Sequence, residues 1–270
     1  MMKMKIIYTA VTLFLVTILK AQDSGELIIP LSNPSDKGSL SVDIKRGYIK
    51  VVGTSRKDVL VKYKALESQR DYDDNDNNSN GLKRISAGSI DLEASESDNR
   101  VIIDSDSWNK GVNLEIEVPQ SFDIEAGGYN GGDIIVENVS GEVVIENYNG
   151  AITAKGISGS ITANTYNGKI TVELLKVTPN VPMSFNTYNG DVDVTFPSGT
   201  KGSFKLKTSR GEIFSGFDMQ LSKSDPVKKT DNKSGTYKVY LDDWVRGNIN
   251  GGGPEIIMKT YNDNIYIRKR

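Results

Sequence analysis

The chain has 270 residues and a formal net charge of −2, and it contains neither histidine nor cysteine. Without these two residue types it cannot form a Ser-His-Asp triad, a Cys-His nucleophile, a disulfide or most kinds of zinc site. The near-neutral charge and the lack of a strongly basic stretch also argue against nucleic acid as a partner. Stability must therefore come from burial of apolar side chains, and about 250 residues are enough for one β domain.

The first 21 residues have the features of a secretory signal peptide. Lysines at positions 3 and 5 precede an apolar run from Ile6 to Leu19, and Ala21 stands at a suitable cleavage position. The run is shorter than the roughly twenty residues that a spanning helix needs. We therefore expect cleavage before Gln22 and export to the periplasm, the outer membrane or the cell surface, with no stable membrane span left. The alternative is an uncleaved anchor, because Leu19 is larger than the small residue preferred two positions before the cut.

The region before residue 120 predicts short strands and one acidic insertion. Alternating apolar and polar residues indicate strands at residues 38–44, 47–52, 58–63, 88–93, 100–104 and 112–118. Residues 71–81 (DYDDNDNNSNG), between the third and fourth of these strands, are polar and acidic. Three of these residues have the one-three-five spacing of a calcium loop, but Asp76 and Leu82 stand where glycine and glutamate are required. We therefore expect a solvated loop, with no metal and no cofactor.

Five consecutive nine-residue units, each opening on glycine, organise the chain from Gly132 to Lys176. They read GDIIVENVS, GEVVIENYN, GAITAKGIS, GSITANTYN and GKITVELLK. Alternation over the first six residues, with many Ile, Val and Thr, predicts one short strand per unit. The Asn-Gly or Ser-Gly pair at most junctions predicts a sharp corner. Tyr-Asn-Gly corners alternate with Ser-Gly corners, so the full repeat has eighteen residues and two strands.

This repeat predicts an all-β fold, a right-handed parallel β-solenoid with coils of about 18 residues and two strands each. The third, fifth and eighth residues of each unit are apolar or small and are predicted to face an enclosed core. At the eighth position they are Val139, Tyr148, Ile157, Tyr166 and Leu175. The alternative is an antiparallel meander with hairpins at Tyr-Asn-Gly. The Cα atoms of Tyr148 and Tyr166 should lie about 4.8 Å apart in the solenoid and about 9.5 Å apart in the meander.

The sixth position of alternate units predicts a ladder of compensated charges. Glu137, Lys155 and Glu173 are eighteen residues apart, so a two-strand coil places them side by side on one face. Opposite charges in neighbouring strands stabilise a sheet by about 0.2–1 kcal/mol. These acids are therefore interpreted as paired surface groups and not as catalytic residues.

After the repeats the pattern is interrupted and then returns. A short excursion covers residues 175–183, and residues 216–252 form a longer interruption rich in Lys, Asp, Ser and Gly. Residues 251–269 return with two strands. We expect one domain over residues 22–270, with irregular insertions at 71–81 and 216–252 that project from the stack.

Several of these segments together resemble a known family. Asn113–Pro119 (NLEIEVP), the run of Gly-x-Ile-x-Val strands, Gly252–Pro254 and the closing Asn264–Ile267 (NIYI) are similar to the bacterial "putative adhesin" family of β-strand-repeat envelope proteins. The resemblance covers about residues 38–268. It implies an exported, non-enzymatic β-solenoid with an adhesive or structural role, and it supplies no catalytic residues to transfer to this chain.

Two carboxylate pairs are the remaining candidates for catalysis. Asp191 and Asp193 lie two residues apart on one strand face, hence about 6.5–7 Å apart, as in inverting glycosidases. Glu115 and Glu117 have the same spacing, as do many solvated strand faces, so the pattern is unspecific. A glycosidase also needs one carboxyl buried enough to raise its pKa. We predict no catalytic residue, and a polysaccharide-acting enzyme (glycoside hydrolase or lyase) is the alternative function.

Two tryptophans are the candidate ligand-binding residues. Trp108 and Trp244 stand in polar segments beside acids and amides, and a flat ring with hydrogen-bonding neighbours suits sugar recognition. The alternative is that each ring covers one open end of the stack, where strand edges would otherwise be exposed. The sequence thus favours an exported adhesion, interaction or structural protein whose partner is a glycan or an envelope protein.

Overall fold

The computed structural model describes residues 24–66, 90–222, 226–231, 236–241 and 243–270, and within them it is all-β with no helix. The predicted signal peptide at 1–21 and the acidic insertion at 71–81 lie outside these residues. The strands are β1 (Ser24–Pro30), β2 (Ser39–Arg46), β3 (Ile49–Thr54), β4 (Asp58–Ala65), β5 (Glu93–Ser97), β6 (Arg100–Ser105), β7 (Val112–Pro119), β8 (Asp123–Asn130), β9 (Ile134–Glu137), β10 (Val143–Asn149), β11 (Ile152–Gly159), β12 (Ile161–Asn167), β13 (Ile170–Val177), β14 (Met183–Asn186), β15 (Val192–Phe196), β16 (Gly202–Lys207), β17 (Ile213–Ser215), β18 (Gln220–Ser222), β19 (Pro226–Asp231), β20 (Thr236–Leu241), β21 (Val245–Ile249), β22 (Glu255–Lys259) and β23 (Ile265–Lys269).

Two large mixed sheets enclose the core. Sheet A has the strand order β1-β4-β7-β3-β9-β11-β13-β15-β23-β17, and sheet B has the order β18-β21-β16-β22-β14-β12-β10-β8-β2-β6-β5. Alternate side chains of both sheets point inward and form one continuous apolar cluster, as expected for strands with one buried face. Its largest fully buried members include Phe122, Phe185, Phe196, Leu40, Ile103 and Leu114.

The repeats pair in parallel with an offset of eighteen residues. Val143 of β10 lies beside Ile161 of β12, and Ile152 of β11 lies beside Ile170 of β13. The consecutive strands β11 and β12 belong to different sheets, so the antiparallel meander is wrong for this segment. The ring centroids of Tyr148 and Tyr166 are 5.2 Å apart, in agreement with neighbouring rungs. Antiparallel pairs occur toward the sheet ends, as in β1–β4 and β16–β21.

The prediction that every eighth-position residue faces the core is wrong for three of the five. Val139 and Ile157 are fully buried, but Tyr148, Tyr166 and Leu175 are exposed. The reason is the backbone at the seventh position. There Asn138 and Gly156 have φ of 57° and 69° and break the alternation, whereas the other three units continue it and turn their eighth residue outward.

Glycines form the corners that follow the tyrosines. Gly150 has φ of 153°, and a Cβ there would overlap the carbonyl oxygen of Gly132 in the preceding rung; Gly168 and Gly190 repeat this close approach. Buried hydroxyls fix the same corners, because Thr165 Oγ1 donates a hydrogen bond of 3.0 Å to the carbonyl oxygen of Gly150. Only glycine permits neighbouring rungs to approach so closely. The glycines at the corners therefore fix how successive rungs stack.

The spatial order of the rungs departs from the chain order at both ends. The C-terminal strands β22 and β23 lie between β14–β15 and β16–β17, and β2 and β3 lie between β6–β7 and β8–β9. The interval 216–252, described from the sequence as irregular, also carries strands: β18 and β21 extend sheet B beyond β16, and β19 pairs with β20. Sequence analysis did not predict these strands because the interval is polar. Strands that face solvent at the edge of a sheet need no alternation of apolar residues.

The predicted charge ladder has the expected register but different ion pairs. Lys155 lies beside Glu137 and Glu173 in neighbouring strands. The ion pairs that form are Lys50–Glu137, with an N–O distance of 3.2 Å, and Arg270–Glu173, at 3.0 Å. Both cations are distant in sequence from the acids that they pair with, so the nine-residue pattern could not reveal these pairs.

Candidate functional site

A row of five stacked tyrosines is the most distinctive surface feature of the described residues. Its members are Tyr129, Tyr148, Tyr166, Tyr188 and Tyr261, each placed just after or at the end of a sheet B strand. Neighbouring ring centroids are 4.7–5.2 Å apart and the planes deviate from parallel by only 4–7°. The row is therefore about 20 Å long, one ring per rung of the sheet.

A ladder of asparagine side chains holds the row in register. Asn167 Nδ2 donates a hydrogen bond of 2.7 Å to Asn149 Oδ1, Asn189 Nδ2 donates one of 2.6 Å to Asn167 Oδ1, and Asn262 continues the series onto Asn189. Each asparagine directly follows a tyrosine of the row. Because these bonds tie the rungs from Tyr148 to Tyr261 together, the tyrosines of those rungs are pre-organised on a rigid backbone.

The tyrosines present their edges to solvent and cover one another's faces. Four of them are about two-fifths exposed, from 39 % for Tyr188 to 45 % for Tyr129. At one end, the ring of Trp108 packs edge-to-face on Tyr129 with centroids 4.8 Å apart. At the other end, the guanidinium of Arg210 lies 5.5 Å from the ring centroid of Tyr261. A ligand therefore meets a stripe of ring edges and phenolic hydroxyls and few free ring faces.

An open groove of about 930 Å³ runs beside the row along the outer face of sheet B. We call the row, this groove and the outer surface of sheet B that continues the groove to β6 and β16 the tyrosine face. Outward side chains of the strands form the floor of the groove, and the tyrosines form one wall. The location of this face follows from the strand alternation, which puts residues such as Glu146 and Asn164 outside and Ile145 and Ala163 inside.

The outer surface of sheet B, which contains the floor of the groove and extends beyond it to β6 and β16, changes charge from one end to the other. One row of laterally paired positions crosses eight parallel strands and reads Asp104, Asp43, Gly127, Glu146, Asn164, Asn186, Lys259 and Lys207. Desolvation by burial, with repulsion from Asp43, Asp106 and Glu93, raises the pKa of Asp104 above its usual value. The face is therefore acidic at its β6 end, amide-lined in the middle and basic at its β16 end.

The two predicted ligand-binding residues lie far apart. Trp108 follows β6 and ends the tyrosine row, with 54 % of its surface exposed. Trp244 precedes β21 near the opposite end of sheet B, where Lys205 Nζ lies 4.6 Å from its ring centroid. The structure thus does not bring the two rings together, and it places each of them toward one end of the sheet.

The carboxylate pairs are engaged in surface ion pairs and hydrogen bonds. Asp193 accepts bonds of 2.6 and 3.0 Å from Arg268 and lies 3.4 Å from Lys169 Nζ. Burial by itself raises its pKa, but the hydrogen bonds and charges of Arg268 and Lys169 outweigh that effect and hold the pKa below the usual value. Glu115 accepts a hydrogen bond of 2.8 Å from the Tyr48 hydroxyl. An Asp193 carboxyl that stays ionised suits an ion pair and is the opposite of a general acid.

The described ranges lack two further kinds of feature, a cluster of metal ligands and a membrane-spanning helix. No cluster of three or more acidic side chains there is arranged to hold a metal ion. The same residues contain no helix of the length and hydropathy that a membrane span requires.

Comparison with known proteins identifies the family. The model of the Toastrack family DUF4097, a domain of unknown function, matches residues 9–250. The chain belongs to the Toastrack family. This confirms the family predicted from the strand motifs. The Toastrack chain has no match among curated proteins.

Two solved structures resemble this Toastrack protein at low sequence identity. A "putative cell adhesion protein" from Clostridium sporogenes ATCC 15579 has a TM-score of 0.46 and 12 % identity, with 92 % of this chain and 100 % of that chain covered. A "putative adhesin" from Bacteroides fragilis NCTC 9343 has a TM-score of 0.30 and 10 % identity, covering 93 % and 99 %.

Sequence reasoning located the tyrosines but missed the tyrosine face. It noted the recurring Tyr-Asn-Gly and the stacking, yet assigned the rings to the core. The two cases differ in the backbone at the seventh residue of each unit, which its residue type indicates only in part. Asn138 and Gly156 adopt a positive φ, whereas Thr165 and also Asn147 continue the alternation. The charge gradient depends on β2, β6 and β22, which lie outside the regular repeats, so no period in the sequence could reveal it.

Proposed function

We propose that this Toastrack protein is an exported, non-enzymatic protein of the bacterial envelope that acts in adhesion through its tyrosine face. The observation that carries the proposal is the unbroken row of half-exposed tyrosines along an open groove. These rings contribute little to the enclosed core, so their exposure and order suit contact with a partner.

Tyrosine rows have the physical properties of a protein-binding surface. A tyrosine offers a large amphipathic ring at a low cost in side-chain entropy, and it is enriched at protein interfaces for that reason. Here the rings are already immobilised by stacking and by the asparagine ladder. Pre-organisation of this kind lowers the entropy lost on binding.

The partner is a protein or a glycan of the envelope, and the ring geometry favours a protein. Sugars stack on free aromatic faces, but each interior ring of the row has both faces covered by its neighbours. Ring edges and hydroxyls remain, and these suit the mixed polar and apolar surface of a protein. Trp108, which is more exposed, and Trp244 are the proposed sugar contacts if the partner is a glycan.

A bead adhesion assay tests the function. Beads coated with the purified protein should adhere to a surface coated with envelope fraction, and Tyr148→Ser/Tyr166→Ser should reduce adhesion about tenfold, since exposed aromatic contacts dominate such interfaces. The matched control is Leu175→Ser, which alters an equally exposed side chain on the other sheet. Equal adhesion by the wild type, the double tyrosine variant and the Leu175→Ser control would show that the tyrosine face is not the contact surface.

A glycan array and a polysaccharide-degradation screen address the alternatives. Binding to one glycan class that is lost with Trp108→Ala would make the partner a sugar. Release of oligosaccharides would make the protein an enzyme, contrary to the proposal.

Export and the detailed architecture complete the proposal. The mature chain begins at Gln22 after removal of residues 1–21, and residues 22–270 form one domain whose parallel strands build a right-handed β-solenoid with two strands per coil. The eighteen-residue registers of β10–β12 and β11–β13 support this architecture. N-terminal sequencing of protein from the envelope fraction should read from Gln22, and a chain that retains Met1 would contradict export with cleavage.

A further inference from the structure

The tyrosine face is complementary to itself. The charge row described above has acidic residues in its first half and lysines in its second, with its midpoint between β10 and β12. The tyrosine row has its midpoint at Tyr166, half a rung from that line. A surface whose two halves are complementary about one line can pair with a second copy through a two-fold axis along that line.

We infer that the partner of the tyrosine face is a second copy of this chain, docked face to face about a two-fold axis parallel to the strands between β10 and β12. This inference rests on the proposed function, because it names the partner of the same surface. Such an axis keeps the strand direction and reverses the order of the rungs. Each strand end therefore meets the same strand end of the partner, while the acidic half meets the basic half.

The charge pairs follow from this operation. Asp43 faces the partner's Lys259, Asp104 faces the partner's Lys207, and Glu146 faces the partner's Asn164. Every contact occurs twice, because the interface is isologous. Two acidic halves would lie together under any axis that kept the rung order, and that arrangement is opposed by repulsion.

The aromatic pairs follow from the same operation. Tyr148 faces the partner's Tyr166, and Tyr129 faces the partner's Tyr188, so exposed ring edges of one copy meet those of the other. Beyond Tyr129 the same strand position is occupied by Lys45, as the pairing of β2 with β8 shows. Lys45 would face the partner's Tyr261, which allows a cation–π contact.

The free chain leaves half of the groups needed for these charge pairs available. Among the described residues, Asp104 and Lys259 have no ion-pair partner, whereas Asp43 pairs with Lys45 at 2.7 Å and Lys207 pairs with Asp243 at 2.6 Å. On docking, Asp43 and Lys207 share or exchange these partners. Repulsion from neighbouring acids contributes to the raised pKa of Asp104, and a lysine from a partner would relieve it. The face spans eight strands, about 35 Å by about 20 Å, close to the roughly 800 Å² per partner of a stable interface.

Charge reversal provides the first test, by sedimentation equilibrium of the full exported chain at low salt. The wild type should form dimers in a concentration-dependent manner and dissociate as salt screens the pairs. Lys259→Glu should raise the dimer dissociation constant about tenfold or more, because it creates two like-charge contacts. Asp43→Lys/Lys259→Glu, which exchanges the charges, should restore dimerisation. The matched control, Lys155→Glu, makes the same charge change on sheet A and should have no effect on dimerisation.

Site-directed cross-linking provides the second test. The natural chain has no cysteine, so a single introduced thiol reports on one position. Asn164→Cys lies next to the proposed axis, and a bis-maleimide of about 10–12 Å should join two copies, since facing sheets are about 10 Å apart. Lys155→Cys, on the outer face of sheet A, should give no cross-linked dimer under the same conditions.

The outcomes separate this inference from the proposed function. The two-fold pairing would be overturned if the protein were a monomer at all concentrations. It would also be overturned if Lys259→Glu left the dimer dissociation constant unchanged and Lys155→Cys gave cross-linked dimers. If such a monomer still adheres to envelope fraction through the tyrosine face, the adhesive function stands and the partner is a different molecule. If it adheres to nothing, both proposals fail.

Discussion

Replacement of Tyr166 by alanine should show how strongly the tyrosine row stabilises the fold. The ring is stacked on Tyr148 and Tyr188 with centroids 5.2 and 5.0 Å away, and 43 % of the residue is exposed. Two lost aromatic pairs cost about 1–3 kcal/mol, and lost burial of roughly 100 Å² adds about 2 kcal/mol. We therefore expect the free energy of unfolding to fall by about 3–5 kcal/mol.

Double-mutant cycles separate the stacking from simple burial. Urea unfolding monitored by circular dichroism would give the unfolding free energy of Tyr148→Ala, Tyr166→Ala and Tyr188→Ala, alone and in pairs. The adjacent pair 148/166 should show a coupling energy of about 0.5–1.5 kcal/mol, whereas the pair 148/188, separated by one rung, should be additive within about 0.5 kcal/mol. Equal coupling energies in both pairs, or additivity in the adjacent pair, would refute stacking as a source of stability.

Three further predictions concern the corners, the ion pairs and the charge ladder. Gly150→Ala should destabilise by about 1–3 kcal/mol or more in thermal unfolding, because its φ is positive and its Cβ would meet backbone, whereas Gly199→Ala, with open space around it, should be nearly neutral. The folded-state pKa of Asp193 is lowered, so its stabilising contribution is present above the unfolded pKa of about 4 and is lost as the pH falls through the lower folded value. Asp193→Asn should therefore lessen the loss of stability below about pH 4, and an unchanged pH profile would contradict the role of the ion pair with Arg268. Lys155→Glu should cost about 0.2–1 kcal/mol, and a cost that does not shrink in added salt would argue against lateral charge contacts.

The parallel stacking of the repeats could be predicted from the sequence, because a strict period gives every strand the same register against its neighbours. Ile152 and Ile170 hold equivalent places in successive repeats, so parallel pairing is the arrangement that buries both and superimposes their glycine corners. The tyrosine spacing follows directly. Neither result requires knowledge of residues distant in sequence.

The surface chemistry was less accessible because it depends on backbone angles and on distant strands. Whether an eighth residue faces in or out is decided by φ at its predecessor, as at Asn138. The cations that pair with Glu137 and Glu173 are Lys50 of β3 and Arg270, which follows β23, and both are far from the repeats in sequence. The acidic and basic halves of the tyrosine face arise in the same way, through the insertion of β2 and β22 into positions away from their chain neighbours.

The interior position of the last two strands has a consequence for biosynthesis. Strands β22 and β23 fill the space between β14–β15 and β16–β17, although they follow both pairs in the chain. A chain that is synthesised or secreted from its N-terminus therefore holds an unfilled gap until β22 and β23 arrive, and closure of such a long-range contact is slow. A polypeptide released before β22 would keep the edges of β14, β15, β16 and β17 unpaired, and such edges invite aggregation or proteolysis. Truncation before residue 255 should therefore leave the centre of the fold open, and not merely shorten one end of it.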